Sequence, residues 1–232
     1  MTQFGGLNVP DLLLQEEYAR ALLRDYFRRD SDGYVYSGAM FDVYPADAAS
    51  GNVTPPGATS SITDSDLIAL SMLGIRVTGY EALIITHDRH QEIQSLLADV
   101  PPDVGIEDEA SARLLARGES AWKLWKLLRD IKDRTKEARF GAVAAGKLLA
   151  RKRPDLIPIE DSQIAAVFSR KPPDRDERWW DDVRSAALDP KPVASGTTLW
   201  RYLARIRDQE KKDHLPVLRV LDIIGWMHVR RP

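Results

Sequence analysis

The residues best suited to do chemistry in this chain are cations gathered in one place. Residues 123–153 hold eleven basic side chains against three acidic ones, a net charge of +8, whereas residues 1–122 carry eight arginines, no lysine and nineteen acids, a net of −11. A basic stretch inside an acidic protein is the expected footprint for a polyanion, and a phosphate backbone is its natural partner. The same pattern also arises when two helices carry a solvated basic face that pairs with acidic parts of the chain. Two adjacent acids, Glu160 and Asp161, follow Pro158 just beyond this stretch. A carboxylate in the first turn of a helix is favoured by the helix dipole by roughly 0.3–1 kcal/mol. Consecutive helical residues point about 100° apart, so the two acids cannot face one pocket together.

Other chemistry is sparse. His87 and His90 fall on one helix face but have only Asp88 as a nearby carboxylate, so no metal is expected. His214 and His228 each stand alone. With no cysteine, the chain makes no disulfide, thiolate zinc site, iron–sulfur cluster or thiol nucleophile. Neither GxGxxG, a Walker A loop nor a Gly-x-Ser-x-Gly elbow is present, which removes phosphoryl transfer and serine hydrolysis from the expected functions and leaves no cofactor implied. Trp179 and Trp180 at helical spacing predict one ring in the core and one half-exposed.

The elements that must position these groups are helices. Pro10 followed by Leu12, Leu13, Leu14, Tyr18, Leu22, Leu23, Tyr26 and Phe27 has the three/four spacing of an amphipathic helix reaching Arg29. Residues 30–62 are rich in Gly, Pro and Ser and predict a long surface connection with one aromatic piece, YVYSGAMFDVY. Thr63 with Asp66 predicts a capping box that opens a helix ended by Gly74. The β-branched segment IRVTGYEALIIT has strand propensity but no strand to pair with, so it is expected to be short extended structure entering the helix DRHQEIQSLLADV. Helices are then expected over 119–132, 142–152 and 161–169, followed by RWWDDVRSAAL, TTLWRYLARIRDQ and PVLRVLDIIGWMHV, the last apolar on nearly every side and therefore central. The 232 residues, 44% of them hydrophobic, are thus expected to form an all-α fold, as a single multi-helix domain over 1–232. The first residues lack a basic n-region and no apolar run approaches the roughly 20 residues that span a bilayer, so the expected location is the cytoplasm with no membrane contact.

The stretch Arg139–Ser162, RFGAVAAGKLLARKRPDLIPIEDS, with the helix before it, resembles the helix-hairpin-helix motif of DNA-binding proteins. In that motif glycines let a tight hairpin present backbone N–H groups to a phosphate at a helix N-terminus. The resemblance makes Gly141 the second hairpin glycine, Phe140 the hydrophobic residue before it and Ala145 the small residue where the helices touch; Arg139 stands where the first glycine would be. Phosphate contacts are then expected from Arg139, Gly141, Lys147, Arg151, Lys152 and Arg153. Over residues 119–168 the resemblance extends to the helix-hairpin-helix DNA glycosylases, in which a Pro-hydrophobic-Asp element about twenty residues later supplies a carboxylate that assists departure of a flipped base. Here that element reads Ile157-Pro158-Ile159-Glu160-Asp161. Counting from Pro158 gives Glu160 the catalytic place; counting from Gly141 gives it to Asp161, the favoured candidate. Val143 occupies the position of the lysine nucleophile of bifunctional members, so the implied enzyme is monofunctional or inactive. More broadly, YSGAMFD, TDSDLIALSML, the Trp122/Trp125 helix, AGKLLARKRPDLIPIEDS and LRVLDIIGWMH are similar to an uncharacterised bacterial family of unknown function. That similarity implies one helical domain and brings no activity, so a non-catalytic protein-interaction or structural module stands as the alternative to DNA binding.

Overall fold

The computed structural model describes residues 1–45, 60–132, 139–168 and 178–230. In chain order these form a short hairpin, β1 (Thr2–Phe4) and β2 (Leu7–Val9); a 3-10 turn and α1 (Glu16–Tyr26); a second, minimal hairpin, β3 (Arg29–Asp30) and β4 (Gly33–Tyr34); then α2 (Asp64–Met72), α3 (Gly79–Leu83) and α4 (His90–Ala98). They continue as α5 (Ser111–Leu114), α6 (Ser120–Arg129), α7 (Gly141–Lys152), α8 (Ser162–Val167), α9 (Arg178–Ala187), α10 (Leu199–Gln209) and α11 (Val217–Arg230). The chain is mainly α-helical, as its periodicity predicts. The two antiparallel hairpins are additions to an otherwise helical plan.

The described residues gather into two compact units, each assembled from separated segments. The first comprises Met1–Tyr36, Gly105–Glu109 and Asp155–Pro232; the second comprises Ser37–Val104 and Ala110–Pro154.

In the first unit α11 is the central helix expected from its all-round hydrophobicity. Leu218, Val220, Leu221, Ile223, Ile224 and Met227 are buried, and α1, α8 and α10 pack against it. Gly225 lies against the Phe168 ring and Ile164. Its buried charges are paired: Arg219 bonds Asp222 and donates to the Tyr26 hydroxyl at 2.8 Å. Trp179 and Trp180 are both buried, which corrects the expectation of one half-exposed ring, and the Trp179 indole donates to the Ile159 carbonyl at 3.1 Å. The β1–β2 turn runs through Gly5, at φ +49°, and any side chain there would collide with Ser185 at the end of α9.

The second unit is built around α7, which packs against α2 and α6, while α4 packs on α6. The capping box at Thr63 forms as expected, with Thr63 Oγ1 accepting from the Asp66 N–H and Asp66 Oδ2 accepting from the Thr63 N–H. Thr78 and Glu81 form a second capping box, and the β-branched segment expected to be extended is helical from Gly79 through a π-helical turn, Ile84–Asp88. Tertiary packing overrides strand propensity there: Ile85 is fully buried. The surface connection is anchored as well. Residues 46–59 lie outside the described residues, but Ala39, Phe41 and Ile62 on either side of them are buried.

Candidate nucleic-acid interface

The basic stretch divides into two populations that face opposite ways. On α6, Ala121, Leu124, Trp125, Leu127 and Leu128 form the buried stripe, so Lys123 and Lys126 stand exposed and Arg129 half-exposed. Beyond the helix, Lys132 and Arg139 are also exposed and form an antiparallel bridge that pinches the connection to α7, with the Phe140 N–H donating to the Ile131 carbonyl at 3.0 Å. Residues 133–138 between them lie outside the described residues. The connection therefore spans 130–140, longer than the tight turn that the helix-hairpin-helix resemblance implies, and α6 ends at Arg129 rather than 132.

Gly141, where α7 begins, has φ +81°, a conformation that glycine adopts without strain and other residues resist. The N-terminus of this twelve-residue helix has no capping side chain and no acid in its first turn, and Gly141, Ala142 and Val143 are half-exposed. An uncapped N-terminus with its partial positive charge is a favourable place for an anion. Trp125 ties the two helices together, its indole donating to the Ala142 carbonyl at 3.3 Å while the Arg129 guanidinium lies 4.9 Å over its ring. Asp130 registers this crowding of cations. Its hydrogen bonds from Arg129, aided by the nearby charges of Lys126 and Arg139, hold its carboxyl below the usual carboxylate range.

The second population points inward, and here the expected phosphate contacts need correction. Lys147, Arg151, Lys152 and Arg153 are all buried, Lys152 and Arg153 at 1% exposure. The reason is that α7 is covered on nearly every side from Ala144 onward. Each cation is engaged internally. Arg151 donates from Nε to Asp66 Oδ1 at 2.8 Å and bonds the carbonyls of Phe41 and Tyr44; Lys152 reaches Asp66 Oδ2 at 3.1 Å. Arg153 bonds the carbonyls of Leu97 and Val100 at the end of α4 and that of Lys152, and burial pushes its pKa down to about 10. Lys147 donates to the Leu73 carbonyl at 3.2 Å, closing the end of α2. These four side chains hold helix ends and a capping aspartate in place rather than presenting a surface.

The candidate catalytic acids lie in the first unit. Asp161 is the N-cap of α8: its Oδ1 accepts from the N–H groups of Gln163 and Ile164, both at 3.0 Å. Glu160 precedes it and is half-buried. Of the predicted phosphate-binding set, Arg139 and Gly141 lie together at the start of α7. The charge count alone does not mark Lys123, Lys126, Arg129 and Lys132; their signal is the helical phase, since Leu124, Leu127, Leu128 and Ile131 assign the basic positions to the other side. Among the described residues no group of three or more His, Asp or Glu side chains is arranged to hold a metal ion.

A model of the DUF6308 family, described as a family of unknown function, matches residues 19–229. The chain belongs to that family. The match takes in every helix from α2 to α10 and most of α1 and α11. No curated protein and no solved structure matches this DUF6308 chain significantly. Among the described residues no helix is long and apolar enough to cross a membrane.

Proposed function

We propose that this DUF6308 protein binds DNA through the outer face of the α6–α7 hairpin. The observation that carries the reading is the set of cations left exposed or half-exposed on α6 and the described ends of its connection, Lys123, Lys126, Arg129, Lys132 and Arg139, beside the uncapped N-terminus of α7 that begins at Gly141. Phosphate groups would be neutralised along α6 and meet backbone N–H groups at α7, with no base-specific contact required. The buried cations Lys147, Arg151, Lys152 and Arg153 take no part. The test is retention of the wild-type protein on double- and single-stranded DNA at rising salt. Binding that falls linearly on a log–log plot supports the reading, and no retention at low salt on either form overturns it in favour of the protein-interaction alternative.

Base excision is a further step, resting on the glycosylase resemblance. In it Asp161, or Glu160, supplies the carboxylate facing the departing base. Asp161 is held by two backbone donors in one rotamer, as a positioned charge must be, yet the same bonds are those of an ordinary helix cap. Abasic-site formation on duplexes carrying uracil, alkylated or oxidised bases decides. Release by wild type that Asp161→Asn abolishes supports catalysis, since asparagine keeps the cap and removes the charge. No release from any lesion leaves the carboxylates structural.

A further inference from the structure

A shallow groove of about 590 Å³ runs between α4 and α6 on the second unit. Its lining includes Leu96, Glu92, Trp122, Lys123, Lys126 and Asp130. The volume falls within the range of small-ligand sites, which run from about 300 to 1,000 Å³. The charges inside it are unequally matched. Glu92 is taken by Arg89, whose Nη2 donates at 2.6 Å, and Asp130 by Arg129 at 2.9 Å. Among the described residues Lys123 and Lys126 form no ion pair; Lys126 lies 5.2 Å over the Trp122 ring, with Arg117 at 5.8 Å from the same ring. Trp122 is half-exposed while Trp125, one turn on, is buried, so a single indole faces the groove between the lysine ammonium groups.

A half-exposed aromatic ring flanked by lysines is the arrangement that stacks a nucleobase and neutralises its phosphate, and stacking of this kind needs a base free of its partner strand. We infer that the α4–α6 groove accepts an unpaired nucleotide, with Trp122 as the stacking platform and Lys123 and Lys126 on the flanking phosphates, so that the protein prefers single-stranded over duplex DNA. This rests on the DNA-binding reading above and names its substrate class.

The experiment is fluorescence-anisotropy binding of oligothymidylate and of a duplex with the same number of phosphates, at one low salt concentration. Wild type, Trp122→Ala and Trp122→Phe are compared, each checked by circular dichroism and thermal melting. Loss of one stacked base weakens binding by about 5- to 150-fold. The inference expects that loss for Trp122→Ala on oligothymidylate, little change on the duplex, and substantial recovery in Trp122→Phe, which keeps a ring. Equal wild-type affinity for both DNAs, or a Trp122→Ala protein that melts normally and binds oligothymidylate as wild type does, overturns the inference while leaving phosphate binding intact. Absence of wild-type binding to either DNA overturns both.

Discussion

The two ends of the α6–α7 hairpin carry the same residue types and use them in opposite ways. The open end, α6 and the described residues flanking its connection, leaves Lys123, Lys126, Lys132 and Arg139 exposed; the closed end, α7 from Lys147 onward, has Lys147, Arg151, Lys152 and Arg153 sealed inside the second unit. The difference is one of helix environment. α6 is amphipathic and has an outside, whereas α7, rich in Ala144, Ala145, Gly146 and Ala150, is approached closely on nearly all sides and turns every long side chain inward. A buried cation must find acceptors, so Asp66 and the free carbonyls at the ends of α2 and α4 become its partners. Charge density along a sequence therefore measures how many cations there are, and only the helix phase tells which of them a phosphate can reach.

The sharpest way to break this comparison is at the closed end. Asp66→Ala leaves Arg151 and Lys152 buried without their shared carboxylate and removes a capping box, so the expected loss is at least about 3–5 kcal/mol, read by chemical denaturation. A loss under 1 kcal/mol would mean the pair is solvated and the closed end is open to ligands. It follows that reversing Arg151, Lys152 and Arg153 to glutamate would unfold the unit rather than report on DNA binding.

Asp161→Ala removes a side-chain cap in the first unit and is expected to cost about 1 kcal/mol, with Asp161→Asn costing much less because asparagine caps equally well. Urea midpoints distinguish them; equal losses for both would show that the negative charge itself matters for stability.

At the open end the expectation reverses. Lys123→Glu and Lys126→Glu break no ion pair among the described residues and only the exposed contact of Lys126 with the Trp122 ring, so stability should stay within about 0.5 kcal/mol of wild type. A larger drop in the melting curve would place these lysines in structural roles like those of α7.

The smallest effect concerns His228, which meets the Tyr18 hydroxyl at 2.9 Å in the first unit. Partial burial lowers its pKa below the usual value of 6.5, so the folded state binds the proton less readily than the unfolded chain. Stability should then be fully present above pH 6.5 and decline as pH falls from there through the lowered value. Replacing His228 with Gln should flatten that part of the profile. If the chain is one domain, one cooperative transition should carry the whole change; two resolved transitions would separate the units.

Much of the fold was legible because helices announce their ends and faces locally. Thr63 with Asp66, the apolar rows of α1 and α11, and Thr198 before α10 each act within a few residues. Thr78 with Glu81 carried the same capping signal, obscured by the valine and isoleucines around it. Phe4-Gly5-Gly6-Leu7 holds the two-glycine mark of a hairpin, obscured by the helical pattern that follows. The direction of the α7 cations was not legible, because their partners, Asp66 and the carbonyls of Phe41, Leu73, Leu97 and Val100, lie 53 to 110 residues away along the chain. The small residues of α7 were the available hint that this helix is enclosed.

The most direct test of the account is the salt dependence of DNA binding by the Lys123→Glu/Lys126→Glu double variant, beside wild type, by anisotropy. Each phosphate contact contributes about 0.9 to the log–log slope on duplex DNA and about 0.7 on a single strand, so losing two contacts should make the slope shallower by about 1.4 to 1.8 and weaken binding, with the melting temperature unchanged. A double variant that binds with wild-type affinity and slope would contradict the assignment of the interface to the outer face of α6.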